Sequence, residues 1–589
     1  VGLNNIRDNR AAVKHRTGSV RARRENVVTS SELGRYLATW RVLSLLAKRS
    51  RPLVRSLMVE RPEPADSGVR LAELVASLSL ATDLGLAQPE EHVLRQTVIA
   101  TRLAAAAGQS DEQRAAVFYV SLLAWTGCIA DSHELAFWFG DDRNLRADSY
   151  QLDKIGLPML RFMIGHVARG EAPLHRVTMV GRFLTGGMGD AMRSFITHCQ
   201  TTGDVAYRLG LHPDVRRALL QSFERWDGKG VPDGLAGEEI EPVMRVVHIA
   251  DDAEVYHRSG GARAALAMLQ ARAGTEFDPG LVELCRSRAD EIFGDLGSVD
   301  AWSVVLDGCT PLDRVIPDSG LTSVLSTFAD YADLKSPCFL GHSRAVAELA
   351  RNAAVQLGMV AADVTLVERA ALVYRLGTIG VSSGIWDKAG PLSAIEWERV
   401  RTVPYLTERV LCRQRRLAEI GTIAAMSHER MDGSGYPRGL PGGAIPAPAR
   451  LLAAADVYQA LAEDRPHRAA LPFNERAAAL RADVAAGRLD AVMAGAVLAA
   501  AGHPVKKRAP RVAGLTAREA EILELLVRGR SHKQIAVELM ISNRTVGSHV
   551  EHIYSKIGVS TRGAAAMYAM RHGLVDVRVS GAEAPENIG

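Results

Sequence analysis

The feature that most constrains this 589-residue chain is a twelve-residue turn that occurs twice. Residues 224–235 read ERWDGKGVPDGL and residues 429–440 read ERMDGSGYPRGL, with eight of twelve letters identical in place. Glu224, Asp227, Gly228, Gly230, Pro232, Gly234, Gly237, Arg245 and Asp251 recur 205 positions on as Glu429, Asp432, Gly433, Gly435, Pro437, Gly439, Gly442, Arg450 and Asp456. Upstream the offset is 250, pairing His92 with His342 and Gly127 with Gly377. One helical module has therefore been duplicated, and the first copy carries about 45 extra residues. They are expected around 140–190, where GDDRNLRADS and LTGGMGD read as loops. The Asp-Gly and x-Gly steps suit a sharp turn with positive φ, and the Pro fixes its exit. That is a backbone requirement, independent of any chemistry.

Most of each copy has helical spacing. In 343–358, Val346, Leu349, Ala350, Ala353, Ala354 and Leu357 share one face, and Gly358 reads as the stop. Strand-like alternation is scarce, and the composition (47% hydrophobic, 5% aromatic) favours helices. The expected fold is all-α: two tandem helical domains followed by a small four-helix domain. The reading divides the chain into a basic segment 1–57, a first module 58–294, a connecting region 295–337, a second module 338–502, a linker 503–514, a C-terminal domain 515–577 and a tail 578–589. Pro311, Pro317 and Pro337 make the connecting region the expected hinge. HPVKKRAPRVAG at 503–514 reads as a semi-rigid tether.

Residues 1–57 hold 13 Lys or Arg against 3 Asp or Glu, so the net charge of +4 leaves −6 for the rest. With no Met before Met58, the segment is expected to be a disordered tail or a mis-assigned start rather than a functional arm. No apolar run reaches the ~18 residues of a membrane span. AVMAGAVLAA at 491–500 reads as a buried helix. Six scattered Cys form no CxxC pair, which points to reduced thiols and a cytoplasmic protein with no membrane partner.

From Leu515 the pattern changes. Thr516 and Glu519 form a capping box before a helix that buries Ile522, Leu525 and Leu526. A short helix starts at Ser531, Ile541-Ser542 makes a tight turn, and Ser542 caps a third helix. Val546, Val550, Ile553 and Ile557 form that helix's core stripe. This is helix-turn-helix grammar. With LTxRE, IAxEL and ISxRTVxxHVxxIYxKxGVSTR, residues 515–575 resemble the LuxR-type DNA-binding domain over its full length. The resemblance implies double-stranded DNA as partner, a homodimer on two half-sites, and helix 543–557 in the major groove. Arg544, Gly547, Ser548 and His552 fall where groove contacts are expected. Lys533, Thr545, His549 and Lys556 fall at phosphate positions, and Asn543 opens the helix beside them. Gly547 departs from the Lys common in the family and brings no side chain to that position.

The repeated module, through GHSRAVAELA, DKAGPLS, HERMDGSGYPRGL and ARLLAAADVYQALAEDRPHRAAL, resembles the HD-GYP family of the HD superfamily. That resemblance implies a helical, metal-dependent phosphodiesterase acting on cyclic di-GMP. Such a site needs converging His and carboxylate ligands around divalent ions. Carried over, the second copy keeps His342, His428 and Asp456, but its His-Asp pair is Tyr374-Arg375. The His of the His-Pro pair falls on Val403, and Ser427 replaces one His of the His-His pair. The first copy keeps His92, His198 and Asp251, with Ala124-Trp125 at the pair and Ser222-Phe223 in place of His-His. Each copy retains a vestigial set that could hold at most one divalent ion. A permanently charged Arg375 stands where a shared carboxylate belongs.

Three readings stay open for these modules: sensor or dimerisation scaffolds without catalysis, effector binding of a nucleotide or other small molecule or metal, and residual phosphohydrolase activity. The expectation is a DNA-binding transcriptional regulator with no catalytic residues. The alternative is a phosphohydrolase with a regulatory DNA-binding tail. DSHE at 131–134 is read as a solvated helix end, since its spacing does not converge on one helical face.

Overall fold

The computed structural model describes residues 68–150, 152, 156–308, 312–504 and 515–571. The basic segment 1–57, all but two residues of the 503–514 linker, and the 578–589 tail lie outside the described residues. Two compact units are present, dividing at His503–Pro504. Both are helical, as the composition implied; the single named sheet among the described residues has two strands of two residues.

The first unit contains both copies of the repeat. The first half runs β1 (Val69–Arg70), α1 (Leu71–Leu86), α2 (His92–Ala106), α3 (Asp111–Leu123), α4 (Met188–Arg208), α5 (Pro213–Leu219) and α6 (Pro242–Arg272, broken at Gly260-Gly261). The second half runs β2 (Val315–Ile316), α7 (Asp318–Asp333), α8 (His342–Gln356), α9 (Ala361–Val373), α10 (Val403–Leu411), α11 (Arg415–Ala424), α12 (Ala447–Leu461) and α13 (Ala491–Ala500). Paired hydrogen bonds fix the equivalences. Asp83 Oδ1 accepts from the Val93 N–H at 3.0 Å, and Asp333 Oδ2 from the Ser343 N–H at 2.8 Å, 250 positions on. The Gly127 N–H donates to Thr202 Oγ1 at 2.9 Å, and the Gly377 N–H to Thr407 Oγ1 at 2.9 Å. The two ends of that bond are offset by 250 and 205, so the extra residues lie between Gly127 and Thr202.

Those residues are not loops. They form helices Ser132–Phe139, Asp142–Ser149, Gly156–His166 and Pro173–Arg182, and LTGGMGD runs through a π-helical turn into α4. Trp138, Phe139, Leu145 and Phe183 give the insertion a small core of its own, an apolar pattern hidden in sequence by the Gly and Asp around it.

Nor is 295–337 a hinge. It supplies β2, which pairs antiparallel with β1, and α7, whose Leu325 and Phe328 are fully buried. The second half therefore starts near residue 315 rather than 338. Pro317 marks the entry of a core helix, at the N-cap of α7. The halves are also not separate bodies. One continuous hydrophobic core takes Leu74, Phe118 and Val247 from the first and Phe328, Val346 and Leu452 from the second. Nearly every side chain of α1 is buried, including Ser77, Ser79 and Thr82, and the Thr82 and Tyr331 hydroxyls meet at 3.1 Å between α1 and α7.

A buried charge network joins the halves. Lys335 Nζ lies 2.5 Å from Asp142 Oδ2, both side chains wholly buried. Asp142 Oδ1 accepts from the Ser382 hydroxyl at 3.0 Å and the Ser383 N–H at 2.9 Å. Burial opposes the Asp142 charge, but Lys335 and Arg146 hold its carboxyl down at about 2. The DSHE segment joins this network through Asp131, which pairs with Arg146, and His133, whose Nδ1 lies 2.7 Å from Asp387 Oδ2, while Glu134 is exposed at the helix end. Cys128, Cys199, Cys285, Cys338 and Cys412 are free thiols. AVMAGAVLAA is α13, buried through Ala494, Ala496, Val497 and Leu498.

The second unit is a four-helix domain: α14 (Ala517–Val527), α15 (His532–Glu538), α16 (Asn543–Ile557) and α17 (Arg562–Arg571). The Thr516/Glu519 capping box is present, and Ser531/Gln534 forms another. Ser542 caps α16, and Gly558 ends it at φ 68°. Val546, Val550, Ile553 and Ile557 are buried as the stripe predicted.

Removing one partner of a buried ion pair strands the other in low dielectric. Lys335→Met is expected to lower the unfolding free energy of the first unit by about 3–5 kcal/mol in chemical denaturation, and Asp142→Leu combined with it to recover part of the loss.

Candidate nucleic-acid interface and the two repeated sites

The duplicated turn is built by its glutamate. Glu429 is 2% exposed, and its two carboxylate oxygens accept from the Arg438 and Leu440 N–H groups at 2.8 Å each. Glu224 does the same to Asp233 and Leu235 at 2.7 and 3.0 Å. The glycines divide the remaining work. Gly228 and Gly433 have φ of 70° and 77°, as expected. Gly230 and Gly435 do not have positive φ; a Cβ on Gly435 would lie 2.4 Å from the Arg430 nitrogen and 2.5 Å from the Glu429 Cα. The second glycine is thus needed for backbone approach, not for its dihedral. The Val231-Pro232 and Tyr436-Pro437 peptide bonds are both cis.

In the second half, α8 begins at His342 and α12 carries Asp456. His342 Nε2 lies 2.7 Å from the Tyr374 hydroxyl and 3.2 Å from Asp456 Oδ1, and Tyr374 donates to the same Asp456 oxygen at 2.6 Å. His342 Nδ1 lies 2.7 Å from Glu463 Oε2. Burial works against the Asp456 charge, but the His342 hydrogen bond, His428 and Tyr374 together hold its carboxyl far below the usual range. His428 stands beside Ser427, whose hydroxyl is 2.9 Å from Nδ1, and its ring centroid is 5.0 Å from that of Tyr436. Burial pushes the His428 imidazole down to about 4. Arg375 is buried, with its guanidinium 3.8 Å over the Phe339 ring.

In the first half, His92 opens α2 and is wholly buried. Its Nδ1 lies 2.5 Å from Glu254 Oε2 and its Nε2 3.3 Å from Asp251 Oδ1. Burial opposes its charge, yet these two carboxylates raise it to about 10. The Tyr150 ring stands edge-on to His92 with centroids 5.7 Å apart. His198 turns elsewhere: its Nε2–H donates to the Ala124 carbonyl at 2.8 Å, and its ring packs against Phe223 and Trp125. Burial pushes it down to about 4. The structure pairs His92 with Asp251 and sets His198 in an aromatic box. Sequence reasoning missed Glu254, Glu463 and Tyr150. Glu254 carries a signal, three residues beyond Asp251 on the same helical face; Tyr150 lies in the insertion and Glu463 beyond the end of α12, where helical spacing gives none.

The surroundings of His342 do not fit a divalent ion. His342 has both ring nitrogens engaged, the Tyr374 hydroxyl sits between His342 and Asp456, and Arg375 adds a fixed cation. Among the described residues, no three His, Cys, Asp or Glu side chains are arranged to hold a metal.

On the second unit, Lys533, Asn543, Arg544, Thr545, Ser548 and His552 are exposed, and Gly547 and His549 are half-buried. All of these but Lys533 lie on α16; Lys533 lies on α15. Lys556 has another partner: its Nζ lies 2.6 and 2.8 Å from the Glu519 carboxylate oxygens, tying α16 to the cap of α14. A Cβ on Gly547 would meet nothing within 4 Å.

With this geometry in place, known proteins resemble the chain in two ways. The HD domain family matches residues 189–281 and 326–493, and the luxR family of bacterial regulatory proteins matches residues 513–569. The 3'3'-cGAMP-specific phosphodiesterase 3 of Vibrio cholerae serotype O1 is 29% identical over 410 residues, covering 69% of this chain and 89% of that one. The crystal structure of a V. cholerae cyclic GMP-AMP specific phosphodiesterase (V-cGAP3) superposes with a TM-score of 0.50 at 26% identity, covering 74% of this chain and 98% of that one. The probable transcriptional regulatory protein NarL of Mycobacterium tuberculosis is 43% identical over 94 residues, 16% of this chain and 43% of its own length. The chain is a fusion of HD-domain helices with a C-terminal luxR-family helix-turn-helix domain. No single described helix is long and apolar enough to cross a membrane, though one pair bent by 52° has the length and composition.

Glu429→Ala removes the acceptor of two part-buried N–H groups and is expected to cost about 1–3 kcal/mol of stability. Glu429→Gln, which retains one acceptor oxygen, is expected to cost less. Thermal and denaturant unfolding of the full chain measures both.

Proposed function

We propose that this protein is a transcriptional regulator in which the luxR-family domain binds DNA and the helical first unit is a non-catalytic sensory body. The DNA-binding half rests on the match over residues 513–569 and on a recognition helix whose outer face presents Arg544, Ser548 and His552. The observation that carries the non-catalytic half is the occupancy of the second site by Tyr374 and Arg375: hydrolysis of a phosphodiester by metal-activated water needs ligands where these two side chains stand. The first site has Trp125, hydrogen-bonded to Gln96 Oε1 at 3.1 Å, at the position equivalent to Arg375.

A signal acts on such a body only by binding two of its arrangements with different affinity. A helix-turn-helix domain of this size buries little DNA surface, so tight binding calls for two copies on paired half-sites and a homodimer in the functional state. The relatives named as cyclic-dinucleotide phosphodiesterases support a nucleotide as the signal class. They also support the rival reading, a phosphohydrolase with a regulatory tail.

Genome-wide mapping of bound DNA, followed by fluorescence anisotropy on recovered fragments, tests the first half. Arg544→Ala with Lys533→Ala is expected to weaken binding by about 1–3 kcal/mol per lost contact and to flatten its salt dependence. Undiminished binding would remove α16 as the contact face. Cyclic-dinucleotide hydrolysis assays with added divalent ions are expected to show no turnover; turnover abolished by His428→Ala establishes the phosphohydrolase instead.

Gly547 offers a gain-of-function check. Gly547→Lys has room for its side chain and removes a helix-interior glycine, so it is expected to raise stability by about 0.5–1 kcal/mol. It is also expected to steepen the logarithmic salt dependence of DNA binding by about 1.

A further inference from the structure

Arg375 is nine-tenths buried, yet its Nε and Nη2 have no hydrogen-bond partner. The nearest carboxylate to its Nε is Asp333, 3.9 Å away, which is too far for a hydrogen bond. Asp333 already accepts the Ser343 N–H at 2.8 Å and the Ser343 hydroxyl at 2.7 Å, capping α8. Phe339 holds the guanidinium plane from one face and leaves its N–H edge unused. Buried donors with no acceptor cost free energy, and arginine cannot shed its charge to escape that cost.

The acidic groups around it have other hydrogen-bond partners. The Asp456 carboxylate is taken up by Tyr374 and His342, and Glu463 by His342 and Arg465 at 2.7 and 2.8 Å. Tyr436, on the repeated turn, lies in a mixed field: burial and Asp456 push its hydroxyl up to about 12, against Arg430, Arg401 and Arg375. Arg430, whose Nη1 bonds the Ser427 and Glu429 carbonyls, is held at the same turn. His428 and Tyr436, on the same turn, are both only partly buried.

We propose that the second half binds a phosphate group, free or within a phosphodiester, through Arg375 and without a metal ion. The guanidinium supplies the positive charge and two parallel N–H donors that match phosphate geometry. The first half has Trp125 at the equivalent position, so each chain holds one such site and not two. The inference deepens the sensory-body reading above and rests on it.

Isothermal titration of the full chain in EDTA with 3'3'-cGAMP, cyclic di-GMP and inorganic phosphate tests it. Binding of one equivalent per chain is expected for at least one probe, unchanged by EDTA and weakened about tenfold or more by Arg375→Ala. Phosphate alone binding as tightly as the dinucleotides identifies free phosphate as the ligand; dinucleotides binding more tightly identify a phosphodiester. Binding that requires added divalent ion, two equivalents per chain, affinity indifferent to Arg375→Ala, or no binding by any probe overturns the proposal. If Arg375→Ala does not fold, the EDTA and stoichiometry arms on the unaltered chain still decide. DNA binding measured on the same preparation separates the two failures: intact DNA binding without ligand sinks this site alone, and absent DNA binding sinks the regulator.

Discussion

Glu224 and Glu429 each turn a buried carboxylate back onto two backbone N–H groups, nine and eleven residues ahead. That single device closes the repeated turn from within. A buried carboxylate is costly unless its oxygens are satisfied, and here two backbone N–H groups of the turn satisfy them. The closed turn in turn forces the close backbone approach that only Gly230 and Gly435 tolerate, and it delivers the chain into α6 and α12, which carry Asp251 and Asp456. The twelve-residue motif persists in both halves because the backbone needs it, whatever the neighbouring side chains do.

Freed from the turn, the two sites have been filled by different means. The second half sets a tyrosine hydroxyl between His342 and Asp456 and an arginine beside them. The first half binds His92 between two carboxylates, lays Tyr150 from its insertion against the imidazole, and sends His198 into an aromatic box with Trp125 and Phe223. A phenol thus reaches each helix-opening histidine, from a native helix end in one half and from inserted sequence in the other. The electrostatic results differ. The first site is a histidine compensated by two acids, whereas the second retains a cation with unmade hydrogen bonds.

The repeat, the helical content and the C-terminal domain were legible because they depend on local spacing. The changing offset placed the insertion correctly, and the core stripe of α16 is buried residue for residue. What sequence concealed is long-range. GDDRNLRADS looks like a loop because it is polar, but Asp142 and Arg146 are polar in order to meet Lys335 and Asp131 inside the fold. The Pro-rich stretch around 317 looks like a hinge, but Pro317 is the cap of a helix buried between the halves. Lys556 reads as a phosphate contact, and its Nζ also pairs with Glu519, itself part of a helix cap. In each case a residue's polarity was visible and its partner, tens or hundreds of positions away, was not.

The shared core gives the duplication its consequence. Two halves that pack α1 against α7 through one hydrophobic interior cannot rearrange independently, so a change at one site is mechanically a change in the whole unit. Duplication with this packing allows division of labour: a first half in which His92 sits between two carboxylates and whose insertion carries the buried ion pair to Lys335, and a second half that buries Arg375 with two N–H groups unpartnered. A body built in this way needs no turnover to respond to a ligand. It needs only that completing the Arg375 hydrogen bonds favour one packing of the common core over another.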